Sequence, residues 1–284
     1  MTKAVAEIGI KRRKLNQQQL AVLSWLLKYR FSTAKQIAAQ LGRLDPKGIQ
    51  TKLQILEAQN LIAKRYDKSY RLAGRGAEYY LTPKGARTLA EALPDTKIHE
   101  NVMKSLYKNK TVSDAFLQHC TGIVDVVLKL QVLYGEKLRI FSSSDMRHYS
   151  YIPEWTPDLF LSYKTTPNTE PHRAFLDVWD DNKPFFVSVK KMRNYLTFAE
   201  EGDWNYDNGD FPAVLAICSS KHDQKKLNRQ MKKALSEASD ADDIPCATTT
   251  LEQFNEAKRA SDKIWTQVTW GDEARATTLR SLYS

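Results

Sequence analysis

From Asn16 to Tyr29, Leu20, Leu23 and Leu27 recur at helical steps, which puts them on one stripe of a helix and leaves Gln17, Gln18 and Lys28 outside it. Ser32 or Thr33 can cap a second helix carrying Ile37, Ala38 and Leu41, and Gly42 ends it. The turn Gly42-Arg43-Leu44-Asp45 and Pro46 then open a third helix, from about Pro46 to Ala58, buried on Ile49, Leu53 and Leu56. Two strand-like runs follow, Leu61 to Tyr66 and Ala77 to Thr82, joined by a polar loop from Asp67 to Gly76. Three helices and then a hairpin is the order of a winged helix-turn-helix, with the third helix as the reading element and the loop as the wing.

The pattern changes after a polar stretch from Pro94 to Lys110. Phe116, Cys120, Ile123, Val127, Leu130 and Tyr134 predict one long helix with a broad apolar face over Asp114 to Tyr134. Strand-like runs come next at Leu138 to Phe141, Asp158 to Tyr163 and Ala174 to Trp179. A helix at Phe185 to Glu201, a strand at Ala213 to Cys218, a basic helix at Asp223 to Ala238 and a strand at Cys246 to Thr250 complete the series. This is an α/β order able to place its strands in one sheet. The expected division is a winged helix with its linker over residues 1–110 and an α/β sheet domain over 111–284.

Charge follows the same division. Of the net +10, residues 1–110 carry 22 Lys and Arg against 8 Asp and Glu, and the remainder 21 against 25. A basic half of +14 beside one of −4 is the footprint of a module that binds a polyanion. Double-stranded DNA is the expected partner. Lys47, Gln50, Thr51, Lys52 and Gln54 lie outside the apolar face of the third helix, and Arg65, Lys68, Arg71 and Arg75 mark the wing, with Tyr66 and Tyr70 beside them. Docking to another protein is the alternative use of such a module.

The basic residues sit on several short elements instead of one amphipathic helix, which argues against a membrane surface. With no apolar run of about eighteen residues and no apolar leader in the first residues, the expectation is a cytoplasmic protein. Cys120, Cys218 and Cys246 are widely spaced among apolar neighbours and predict reduced core residues.

Candidate chemistry rests on two carboxylates. Asp158 opens one strand and Asp177 lies on the next; if those strands pair, both could hold Mg²⁺ as hard oxygen ligands. Lys190 and Lys191, early in the following helix, could offer a cation to a phosphate or an attacking water. His119 and His172 lack zinc spacing, and glycine-rich phosphate loops, dinucleotide fingerprints and serine-hydrolase elbows are absent from the sequence.

Taken together, the winged helix, Phe116-Leu117-Gln118-His119, Pro157-Asp158, Phe175-Leu176-Asp177 and the Lys191 to Tyr195 spacing resemble the replication-relaxation family. That family includes plasmid mobilisation relaxases of the MobC type, whose second domain is similar to the PD-(D/E)XK nuclease fold. The resemblance implies metal-dependent nicking at a transfer or replication origin, with Asp158, Asp177 and Lys191 as catalytic residues and Asp158 and Asp177 as Mg²⁺ ligands. Trp179 stands where the nuclease motif carries its lysine, so Lys191 would be that lysine relocated to the helix; Asp180 and Asp181 follow Trp179 directly. The other reading is a non-catalytic replication accessory or transcriptional regulator whose α/β domain forms a homodimer or meets replication or conjugation proteins.

Overall fold

The computed structural model describes residues 14–283 apart from 44, 73, 154, 167–168, 180–183, 203, 205–209, 239–243 and 270–273, and apart from the Lys68 side chain. The basic half is built from α1 (Gln17–Tyr29), β1 (Phe31–Thr33), α2 (Ala34–Gln40), α3 (Lys47–Ala58), β2 (Ile62–Arg65), α4 (Lys68–Leu72), β3 (Glu78–Leu81) and α5 (Pro83–Ala92). Asn16 and Thr33 begin α1 and α2 with reciprocal capping boxes to Gln19 and Gln36, satisfying backbone N–H groups that a helix start leaves open. Gly42, at φ 66°, ends α2 as expected.

The hairpin of β2 and β3 forms, and β1 adds to it in the order β1-β3-β2. Two details differ from the sequence reading. The wing is not all loop, because the Asp67 carboxylate accepts from the backbone N–H groups of Ser69 and Tyr70 and so starts α4. The polar stretch before residue 110 likewise contains α6 (Glu100–Lys108), which buries only Val102 and Leu106 and therefore carries a weak apolar signal.

From α7 (Asp114–Tyr134) the chain enters a seven-stranded sheet. It runs through β4 (Leu138–Ser142), α8 (Ser143–Met146), β5 (Leu159–Tyr163), β6 (His172–Trp179), α9 (Phe185–Glu200), β7 (Ala213–Cys218) and α10 (Lys221–Glu237). It then continues as β8 (Cys246–Thr250), α11 (Leu251–Glu256), β9 (Trp265–Val268) and β10 (Arg275–Thr277). The strand order is β10-β9-β8-β7-β6-β5-β4, parallel through β6, β7 and β8 and antiparallel toward both edges. The helices α9 and α10 are the crossovers that parallel neighbours require. The strands β9 and β10 escaped the sequence reading, since short edge strands show little alternation.

Phe175, Val214, Leu227, Met231 and Tyr195 form the core between the sheet and its crossover helices. The opposite face of the sheet supplies Leu159, Leu161, Leu176 and Leu215 to a second cluster. That cluster continues through Val124, Val127 and Leu130 of α7 into Leu26, Leu53 and Leu56 of the winged helix. By length and composition the stretch 114–137 could cross a membrane, but Val124, Val127 and Leu130 are fully buried against protein. Polar links reinforce the junction: Gln36 Nε2 donates to Thr121 O at 2.9 Å and to Asp125 at 2.8 Å, and Lys28 pairs with Asp145 at 3.2 Å. All three cysteines are buried and outside any disulfide, and burial pushes the thiols of Cys218 and Cys246 up to about 12.

Gly85, in the first turn of α5, lies directly against the backbone of Leu61. Its N–H donates to Thr82 Oγ1 at 3.0 Å, and a β-carbon there would lie 1.9 Å from the Leu61 carbonyl oxygen. Gly85→Ala is expected to destabilise the protein by about 1–3 kcal/mol, the usual cost of forcing atoms into a filled site. Urea denaturation checks this, and an unchanged midpoint would refute the close packing.

Candidate functional site

Pairing of β5 with β6 sets Leu159 opposite Leu176, so the next pair outward is Asp158 and Asp177. Alternation along β6 turns Asp177 to the same face as Phe175, under α9, where it is 1% exposed. Three donors meet it there. The Asp158 backbone N–H donates to Asp177 Oδ1 at 3.1 Å, Lys191 Nζ donates to the same oxygen, and Tyr195 Oη donates to Oδ2 at 2.7 Å. Lys191 and Tyr195 are four residues apart on α9, so they share one helix face.

Asp158 is tied in from the other side. Its Oδ2 accepts from the Val178 N–H at 2.9 Å, and its Oδ1 lies 3.2 Å from His119 Nε2 on α7. Thus α7, β5, β6 and α9 meet through a single chain of polar contacts.

Burial pushes the Asp177 carboxyl above its ordinary value, Lys191 pulls against that, and Asp158 adds to the rise. Burial alone would lower the Lys191 ammonium, but Asp177 and Asp158 outweigh it and hold Lys191 above its usual range. Tyr195 is raised well above 10.0 by burial first and then by Asp177. The hydrogen bonds thus place two potential proton donors against one buried carboxylate.

The convergence of Asp158, Asp177 and Lys191 matches what the sequence suggested. Mg²⁺, however, is held octahedrally at roughly 2.0–2.1 Å, usually by one or two carboxylates with several waters, and needs carboxylate oxygens open to it. Here both Asp177 oxygens and both Asp158 oxygens already accept or face a protein group, and the cation beside Asp177 is the Lys191 ammonium. Among the described residues there is no group of three or more His, Cys, Asp or Glu side chains able to hold a metal. In this arrangement an ion would have to displace Lys191, Tyr195 or a backbone donor from the two carboxylates. Trp179 is half-buried, Lys190 is exposed on α9, and Asp180 and Asp181 lie outside the described residues.

On the winged helix, Ile49, Leu53 and Leu56 face inward, while Lys47, Gln50, Thr51 and Gln54 are exposed on α3 and Lys52 is half-buried. In the wing, Arg71 is exposed. Arg65 instead donates to the carbonyls of Lys110 and Val112 at 3.1 and 2.9 Å and to Asp114 at 3.1 Å. Arg75 pairs with Glu78 at 2.8 Å and lies over the Tyr70 ring at 4.2 Å. Arg65 thus braces the wing against the start of α7 and Arg75 braces it from within, uses that charge counting along the sequence does not show. Tyr66 is exposed, whereas Tyr70 is buried with its hydroxyl on Asp114 at 3.1 Å.

A buried ion pair of this kind predicts strong coupling. Lys191→Met should cost about 3–5 kcal/mol by stranding a buried carboxylate, and adding Asp177→Asn should recover much of that loss. A double-mutant cycle in urea measures it; additive effects would remove the pair from its structural role.

No curated protein matches the chain by sequence. Among solved structures, a double mutant of ZitR from Lactococcus lactis is 21% identical with a TM-score of 0.25, covering 41% of this chain and 75% of that one. The restriction endonuclease FokI is 12% identical with a TM-score of 0.32, covering 84% of this chain and 42% of that one. Its DNA-bound form is 13% identical with a TM-score of 0.29, covering 84% of this chain and 43% of that one. Scores of that size do not establish a common fold. The replication-relaxation family matches residues 23–214, a span that holds α3, the wing, Asp158, Asp177, Lys191 and Tyr195. The chain belongs to the replication-relaxation family.

Proposed function

We propose that this protein binds duplex DNA in the cytoplasm at a replication or mobilisation origin of a plasmid or mobile element, reading it through α3. The observation that carries this reading is the exposed face of α3, where Lys47, Gln50, Thr51 and Gln54 stand on a helix whose other side is fully buried. Amides and a hydroxyl are side chains suited to base edges in a major groove, and lysine to phosphate. The α/β domain supports that reading as a rigid base, because one apolar cluster runs from α3 through α7 to the sheet. Contacts with a second copy or with replication and conjugation proteins would use surfaces outside α3.

The test is fluorescence anisotropy with origin duplex across a salt series. Gln50→Ala and Gln54→Ala are each expected to weaken cognate binding about tenfold while leaving non-cognate duplex nearly unchanged, as lost base contacts do. Lys47→Ala should weaken both duplexes alike and make the salt slope shallower by about 0.9. Equal affinity of wild type and all three variants would overturn the assignment of α3.

A second reading, metal-dependent nicking, is favoured by the convergence of Asp158, Asp177 and Lys191. It requires Asp177 to release Lys191 and Tyr195 before an ion could enter. With supercoiled origin plasmid and Mg²⁺, the expected outcome is that circles stay closed. Open circles produced by the wild type and abolished by Asp158→Ala would establish nicking instead.

A further inference from the structure

The face of the large sheet that carries α9 and α10 is not covered evenly. Toward the β4 edge, α8, the chain just after it and Trp204 lie over this face among the described residues, and beyond them lies a cavity of about 710 Å³. This is within the roughly 300–1,000 Å³ range of ligand sites. Alternation along three strands builds its floor: Arg139 and Phe141 from β4, Phe160 and Ser162 from β5, and Arg173 from β6. Tyr149 and Tyr151, with ring centroids 5.3 Å apart and planes 34° from each other, form one wall. Lys137 and Lys164 stand on the rim.

Two features define what this cavity accepts. First, the lining holds four cations, Lys137, Arg139, Lys164 and Arg173, against the two acids Glu136 and Glu170. This excess occurs in the half of the chain that is net acidic, so the cations are concentrated here against the local trend. Second, the apolar surface is aromatic. Tyr149 is 42% exposed, and Phe141 and Tyr151 are half-buried at the cavity. A flat ring surface flanked by cations suits a nucleobase with its phosphate, since every base has a face to stack and sequence is not needed for the contact. A base paired in a duplex cannot present that face.

We propose that this cavity binds a segment of single-stranded DNA, its bases stacked on Tyr149, Tyr151 and Phe141 and its phosphates on Arg139, Lys137 and Lys164. The site deepens the DNA-binding reading by supplying a seat for a strand separated from the duplex that α3 reads, and it uses none of the α3 residues.

Anisotropy of labelled oligo-dT and of labelled duplex, measured on the full chain, tests the proposal. Tyr149→Ala and Arg139→Glu, both exposed positions, are each expected to weaken oligo-dT binding about tenfold or more with duplex binding unchanged. Lys47→Ala should show the converse. Unchanged oligo-dT affinity in Tyr149→Ala, with circular dichroism like the wild type, would overturn the proposal even if duplex binding through α3 holds. Thymidine monophosphate that competes as well as an equal concentration of oligo-dT nucleotides would also overturn it, making the cavity a mononucleotide site. Failure of duplex binding alone, with oligo-dT still sensitive to Tyr149, would sink the α3 reading and leave this one standing.

Discussion

A carboxylate removed from water must be neutralised or supplied with donors, and Asp177 meets this demand with Lys191, Tyr195 and the Asp158 N–H. The elements around it are arranged accordingly. The α9 helix must cross β6 at the angle that brings two of its residues, four apart, down onto one side chain. Asp158 must stay in register with Asp177 for its backbone to donate. Through the contact between His119 and Asp158, α7 is drawn into the same network. The centre therefore ties together the antiparallel and parallel portions of the sheet at the strand they share.

That geometry also gives Lys191 a partner inside the protein. A lysine placed in a nuclease motif to meet a phosphate can instead serve as the internal counter-cation of the motif's own acid. Whether such a group points outward or inward depends on where its Cα lies. With Lys191 on α9 and Trp179 at the end of β6, the ammonium sits on the Asp177 carboxylate. The desolvation of Asp177 then favours the closed pair.

The α7 helix gives the molecule its mechanical unity. One side meets the sheet, the other meets α2 and β1, and Gln36 and Arg65 reach it from the winged helix with directed hydrogen bonds. A reading helix attached in this way carries its orientation into the rest of the chain. The wing shows what this attachment requires. Arg65 and Arg75, two of its basic residues, are engaged in holding the wing in place, so the free positive surface is smaller than the net charge suggests.

The sequence by itself was enough for α1 to α3, the hairpin strands β2 and β3, α7, the strands β4 to β8 with the crossover helices α9 and α10, a cap for α2 at Ser32 or Thr33, the buried stripe of α3 and two acids on adjacent strands. These are local or period-based properties: a cap, a repeat of 3.6 or of 2, and a residue type at a strand end are all written within a few residues. It did not reveal β1, α4, α6, α8, α11, β9 and β10, short elements whose patterns acquire meaning only against a neighbour. Nor could it tell which partners cover Val124, Val127 and Leu130 of α7, that Arg65 is a brace, or that Lys191 pairs with Asp177. Each of these is settled by what stands opposite a side chain, from dozens of residues away, and only the tertiary structure brings those partners together.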